Sequence, residues 1–167
     1  FKKFASEKDE DMYSDVMKHH QRSSIGNATI EEYLKREYNP PKDFPSILHT
    51  SQVLQADGIR TGIEAHRRNK KRCTGTLYWQ LNDCWPGASW SSIDYYGKWK
   101  ALHYNVKRAF KPLIISHEFL DSNLQVSIIS DQSNFFEGNI EIISRSFKGN
   151  KSKLIVDKKV KLKPNEA

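Results

Sequence analysis

The sequence predicts a chain of two characters, α/β up to about Pro112 and all-β beyond it. Three observations predict this. Apolar residues recur every three or four positions through most of the first part. A single run rich in Thr, Tyr and Trp interrupts that pattern, and after Pro112 apolar and polar residues alternate instead.

Taken in order, residues 12–22 are predicted to be helical, although they lack an apolar stripe. Gly26-Asn27 is expected to break that helix. Residues 28–38 form the next, with Ile30, Tyr33, Leu34 and Tyr38 at helical spacing, and Asn39-Pro40-Pro41 stops it. The clearest helix spans 45–68, where Ile47, Leu48, Leu54, Ile59 and Ile63 keep the period. Gly58 and Gly62 weaken it by about 1 kcal/mol each relative to Ala. Glycines at that spacing are expected to allow close packing against a strand layer. Residues 73–81 read as a strand and 83–97 as a long loop with turn chemistry at Pro86-Gly87 and Tyr96-Gly97. Residues 98–110 return to helix, with Trp99, Leu102, His103, Val106, Ala109 and Phe110 on one stripe, until Pro112 ends it.

Helix, strand, long loop and helix is the order of a terminal β/α unit in a barrel. A whole barrel takes about 250 residues, so 167 cannot hold one. Beyond a boundary near 111–115, Leu124, Val126 and Ile128 alternate with polar residues, as do Ile140 and Ile142. Leu154, Val156, Val160 and Leu162 do so more loosely, with turns at 131–134 and 148–150. These read as hairpin-connected antiparallel strands opening an immunoglobulin-like sandwich.

The net charge of +7 invites a nucleic-acid reading centred on His66-Arg67-Arg68-Asn69-Lys70-Lys71-Arg72. The run falls where the 45–68 helix should end, and cations there complement the negative end of the helix dipole. Asn69 is expected to close the helix in the left-handed conformation. The remaining lysines alternate with apolar residues, as on a solvated sheet face, so no nucleic-acid partner is expected. No apolar run approaches a membrane span. Cys73 and Cys84 flank the predicted strand, too far apart along an extended segment for a disulfide, and free thiols are expected. The histidines lie in separate segments without ligand spacing, so neither a metal nor another cofactor is expected.

The chemistry concentrates in Gly75-Thr76-Leu77-Tyr78-Trp79-Gln80-Leu81-Asn82-Asp83-Cys84-Trp85-Pro86-Gly87, and all four tryptophans fall between Trp79 and Trp99. Indole faces beside amides and a carboxylate suit a sugar, whose C–H bonds pack on the ring while its hydroxyls take the polar groups. The candidate substrate-binding residues are Trp79, Asn82, Asp83 and Trp85. Each has a plainer alternative: the tryptophans as core, and Asn82 and Asp83 as caps of their own loop. Trp90 and Trp99 are expected to be packing anchors.

Residues 75–104, GTLYWQLNDCWPGASWSSIDYYGKWKALHY, closely resemble the end of the catalytic domain in β-mannosidases of glycoside hydrolase family 2. The resemblance extends upstream through HHQRSSIGN (19–27) and SQVLQADGIRTGIEAHRRNKKRC (51–73), and downstream through Ala109-Phe110-Lys111-Pro112. It implies that residues 1–112 are the C-terminal part of a (β/α)8 catalytic barrel and 113–167 part of the immunoglobulin-like domain after it. It also implies a retaining exo-glycosidase acting on terminal β-mannosides, with Trp79 in the floor of the sugar pocket; Trp85 is a candidate for the rim. The partners implied are the carbohydrate and the remainder of the parent enzyme. Relatives carry two catalytic glutamates, the nucleophile in a Ser-Glu-aromatic-Gly setting. Here the only Ser-Glu pair, Ser6-Glu7, runs into Lys8-Asp9-Glu10. No catalytic residue is therefore expected in this chain, and Phe1 is expected just downstream of the nucleophile. A non-catalytic carbohydrate-binding module using Trp79 and Trp85 is the alternative.

Overall fold

The structure is a computed structural model and describes residues 1–149 and 151–166. A 3-10 turn at Glu7–Asp9 precedes helices α1 (Asp15–His20), α2 (Gly26–Glu37), α3 (Phe44–Arg68) and α4 (Ala101–Ala109). Strands β1 (Leu113–Leu120), β2 (Asn123–Ser130), β3 (Phe136–Arg145) and β4 (Ser152–Leu162) follow. No helix among the described residues is long and apolar enough to cross a membrane.

The first two helices differ from expectation for a local reason. Gly26 and Asn27 do not break a helix; they begin α2. The Asn27 side chain donates to the Met12 carbonyl (2.6 Å) and accepts from Gln21 Nε2 (2.8 Å), while Gln21 Oε1 accepts from the Ser23 amide (3.0 Å). This chain of amides satisfies polar groups that burial would otherwise orphan, and it ends α1 at His20. Nearby, the Tyr13 hydroxyl donates to Glu31 on α2 (2.5 Å), a bond that raises the tyrosine pKa.

Helix α3 starts as its sequence requires. Asp43 accepts from the Ser46 amide (2.8 Å), Pro45 occupies the first turn, and the Ser46 bonds hold the Asp43 carboxyl below its ordinary range. Its end is a correction. Asn69 is not left-handed (φ −92°); its backbone N–H and its side-chain amide both donate to the Ala65 carbonyl. Among the described residues nothing packs closely on Gly58 or Gly62: a Cβ built on either meets nothing within 4 Å. The main core joins α3 and α4 through Ala56, Ile63, Leu102, Val106 and Ala109, with Ile59 and Tyr78 against it. A second cluster gathers Met12, Met17 and Phe44.

Residues 73–81 are not a strand in this chain, although they are extended and alternate as one would. Thr76, Tyr78 and Gln80 turn toward the helices, while Leu77, Trp79 and Leu81 are exposed. A strand needs a ladder partner along its length, and among the described residues only the end of this run has one: Gln80 and Leu81 exchange backbone hydrogen bonds with Trp90, Ser92 and Ile93. Just beyond it the pairing reduces to the isolated bridges Asn82–Ile93 and Ile93–Trp99.

Beyond Pro112 the antiparallel hairpins are present, as two separate two-stranded sheets. Strand β1, which the alternation after Pro112 did not reveal, pairs with β2 across a two-residue turn, Asp121-Ser122, with both φ values positive (47° and 67°). β3 pairs with β4 with a register shift between Ile142 and Ile143. Of the predicted 148–150 turn, Asn150 lies outside the described residues.

The basic run at the end of α3 fastens this β region to the helices. Arg67 is buried, donating to the Ala109 and Lys111 carbonyls and to Asp131 (2.7 Å). Arg68 reaches Ser116 (2.5 Å) and Glu118 (3.1 Å), and Ser116 in turn donates to Glu64 (2.8 Å). Lys70 reaches the Ser130 carbonyl (2.8 Å), Asn165 (3.1 Å) and Asp131. These cations answer specific acceptors on β1 and around Asp131 as well as the helix end.

Candidate functional site

The four candidate residues stand on one extended run and the loop that follows. Trp79 is 73 % exposed, between Leu77 at 99 % and Leu81, so one face of the run presents an indole flanked by two aliphatic side chains. The opposite face is fixed. Tyr78 packs on the α3–α4 core, and its hydroxyl meets Ser92 Oγ at 2.9 Å. Ser92 is fully buried and gives its one proton to the Leu81 carbonyl (2.9 Å). It therefore accepts from both Tyr78 and His103 Nδ1 (3.0 Å), which places the proton of the His103 ring on Nδ1. One serine thus ties the run, the loop and α4 together behind Trp79.

Asp83 is drawn inward. Its side chain is 5 % exposed, and Oδ2 accepts from Ser91 (2.5 Å), Ser89 (2.7 Å) and Lys100 Nζ (3.2 Å). Lys100 also donates to Ser89 (3.0 Å), and Oδ1 keeps only a 3.5 Å contact with Gln80. A carboxylate so occupied organises its own loop. Asn82 sits at the surface, paired through its backbone with Ile93.

Trp85 is held by the end of α1 and the residues just after it. Its ring stacks on His20 (centroids 5.0 Å, 26°), with His19 edge-on at 6.0 Å and the Arg22 guanidinium 4.5 Å from the ring centre. His20 Nδ1 meets the Pro86 carbonyl at 2.5 Å. Gly87 is required here: a Cβ would stand 2.6 Å from the His20 carbonyl oxygen, a backbone atom that cannot step aside. Trp99 precedes α4 and is exposed, with one side of its ring against His103 (4.2 Å) and Tyr104 (5.3 Å). Trp90 is exposed, contributing its carbonyl to the Gln80 amide at 3.4 Å.

A cleft of about 870 Å³ opens between α2, α3 and the loop, with Asp83, Trp85, Trp90 and Tyr95 among its walls. Trp79 and Asn82 do not border it. The candidates thus divide into an outward pair, Trp79 and Asn82, and a pair at the cleft, Asp83 and Trp85. Both cysteines are free thiols. Glu7 is exposed on its 3-10 turn, in a setting unlike that of a nucleophile. Sequence reasoning missed the serines at 89, 91 and 92, Lys100, and the clamp of His20 and Arg22. A Ser-rich loop following a carboxylate was the available signal for the first group.

The arrangement has known counterparts. The chain is 36 % identical over 125 residues to the β-mannosidase of Capra hircus, a match covering 67 % of this chain and 14 % of that protein. It is 32 % identical over 120 residues to β-mannosidase A of Aspergillus clavatus, covering 68 % of this chain and 13 % of that one. The crystal structure of the β-D-mannosidase from Dictyoglomus thermophilum superposes with a TM-score of 0.87 at 35 % identity, over 97 % of this chain and 20 % of that one. An exo-chitosanase from Amycolatopsis orientalis shares the fold, with a TM-score of 0.75 at 20 % identity, over 99 % of this chain and 20 % of that one. No protein-family profile matches the chain. The class is that of the glycoside hydrolases. Within it, the chain belongs to the β-mannosidases of glycoside hydrolase family 2, as a stretch spanning about 14 % of the length of the curated relatives it matches.

Proposed function

We propose that the chain is the part of a retaining exo-β-mannosidase that supplies the sugar-facing surface at the end of the last strand of a (β/α)8 barrel. Residues 1–112 form the closing part of that barrel and residues 113–167 open an immunoglobulin-like sandwich. The observation that carries this reading is Trp79, an exposed indole at the end of an extended run whose other face is locked to α4 through Tyr78, Ser92 and His103. Barrel enzymes work at the C-terminal ends of their strands. A retaining glycosidase further needs two carboxyl groups about 5–5.5 Å apart. In this reading both come from elsewhere in the enzyme, and this chain contributes the floor on which the terminal mannose rests. Asn82 takes a hydroxyl, Trp85 forms the rim, and Asp83 positions the loop between them. A stand-alone binding module is the weaker reading, since the curated relatives quoted are named as enzymes.

The test compares Trp79→Ala with Trp99→Ala in the full-length protein on an aryl β-mannoside. Trp79→Ala is expected to lower kcat/KM by about 30- to 150-fold, equivalent to about 2–3 kcal/mol, with the melting temperature little changed. Trp99→Ala is expected mainly to lower the melting temperature, through lost packing on His103 and Tyr104. Near wild-type kinetics for Trp79→Ala would remove Trp79 from the site.

A further inference from the structure

Outside the proposed sugar floor, the C-terminal end of α1 meets residues 85–87, 66 positions apart at the His20–Pro86 bond. Three independent contacts converge there: the stack of His20 on Trp85, the hydrogen bond to the Pro86 carbonyl, and the backbone approach at Gly87. We propose that His20 is a positioning residue for substrate binding, fixing the 84–88 loop so that the Trp85 indole is held at the rim of the sugar site. The proposal rests on the mannosidase reading above only for the nature of the ligand.

A carbonyl oxygen only accepts, so Nδ1 of His20 must carry the proton and donate to Pro86. That bond fixes the ring plane, and the ring plane sets the tilt of the stacked indole at 26°. His20 is itself held from behind. Phe4 lies 4.5 Å from its ring, and the Gln21–Asn27–Met12 amides pin the backbone on its C-terminal side. The Arg22 guanidinium then sits over Trp85, adding a cation–π contact that favours the same ring position. An indole whose orientation is fixed before binding loses less freedom when a sugar packs on it.

The geometry of amide side chains supplies the test. Asn carries its Nδ2 donor where His carries Nδ1, whereas Gln places its donor where His carries Nε2. In the full-length protein, His20→Asn should keep the Pro86 bond and His20→Gln should lose it. On an aryl β-mannoside, His20→Gln is expected to raise KM about 3- to 10-fold with kcat within about twofold, as losing one hydrogen bond and uniform binding would give. His20→Asn, which keeps the Pro86 bond but loses the stack on Trp85, should raise KM less than His20→Gln does. Adding His20→Gln to Trp85→Ala should cost nothing beyond Trp85→Ala alone, because His20 acts through Trp85. Hydrogen exchange is the readout independent of activity: amides of 84–88 should gain more exchange in His20→Gln than in His20→Asn. Equal exchange in the two variants, or multiplying KM effects in the double variant, would overturn the proposal. If the exchange pattern holds but the wild-type protein hydrolyses no β-mannoside, the mannosidase reading is at fault and the positioning of the loop by His20 stands.

Discussion

Residues 80–100 and the β3–β4 hairpin make an instructive pair. The first stretch contains no helix and no strand beyond isolated bridges, yet Ser91 and Ser92 in it are fully buried. The hairpin has two long, regularly paired strands, yet no residue in either is classed as buried, and its Glu137–Lys161 ion pair is 67 % and 77 % exposed. Backbone regularity and structural determination therefore come apart in this protein. Within this chain the hairpin is held by its paired register. The loop is held by scattered backbone bonds, such as Ile93 to Leu81 and Lys100 to Ser92, together with buried side-chain hydrogen bonds, and it is the loop that carries the proposed site. Irregular backbone can place a ligand surface with precision when buried polar groups replace the ladder.

The contrast is sharpened by three substitutions in the full-length protein. The largest effect is expected from Asp83→Ala, which leaves the Lys100 ammonium without its counter-ion and Ser91 without its acceptor. Breaking such a pair costs about 3 kcal/mol, read as a lower unfolding free energy with lost exchange protection across 89–93. Wild-type stability in that variant would mean the loop is held by its backbone after all. Next comes Ser92→Ala, which orphans the Tyr78 hydroxyl and His103 Nδ1 together. About 2 kcal/mol is expected, seen in denaturant unfolding as a shifted midpoint with an unchanged slope. The smallest is Glu137→Ala in the hairpin, where an exposed pair gives less than about 0.5 kcal/mol in the same measurement. A loss there as large as that of Ser92→Ala would erase the distinction between the regions.

Much of the helical part was legible because its signals are local. Asp43 and Pro45 mark the start of α3, and the period of its apolar residues carries through to Ile63. The antiparallel character after Pro112 was legible from alternation, although β1 was not, because Leu113-Ile114-Ile115 has no polar partner to alternate with. The 73–81 run shows where local signals stop. Its alternation is present in Thr76, Tyr78 and Gln80 against Leu77, Trp79 and Leu81, but strand formation depends on a neighbour that its own residues do not encode. The same limit applies at the site. The indole and amide cluster from Trp79 to Trp85 could be read directly. The inward turn of Asp83 could not, because it depends on Ser89, Ser91 and Lys100 meeting it through the folded loop. His20 and Arg22 are further still in sequence from the tryptophan they hold.

Gly87 has a consequence for any attempt to reshape this loop by randomised mutagenesis. With the His20 carbonyl oxygen 2.6 Å from where a Cβ would stand, every library member carrying another residue at 87 must first push two chain segments apart. Diversity introduced at that codon displaces the loop rather than reshaping it. The exposed neighbour at position 84 carries no such restriction. A selection for altered sugar preference should therefore hold position 87 as glycine and vary the residues around it.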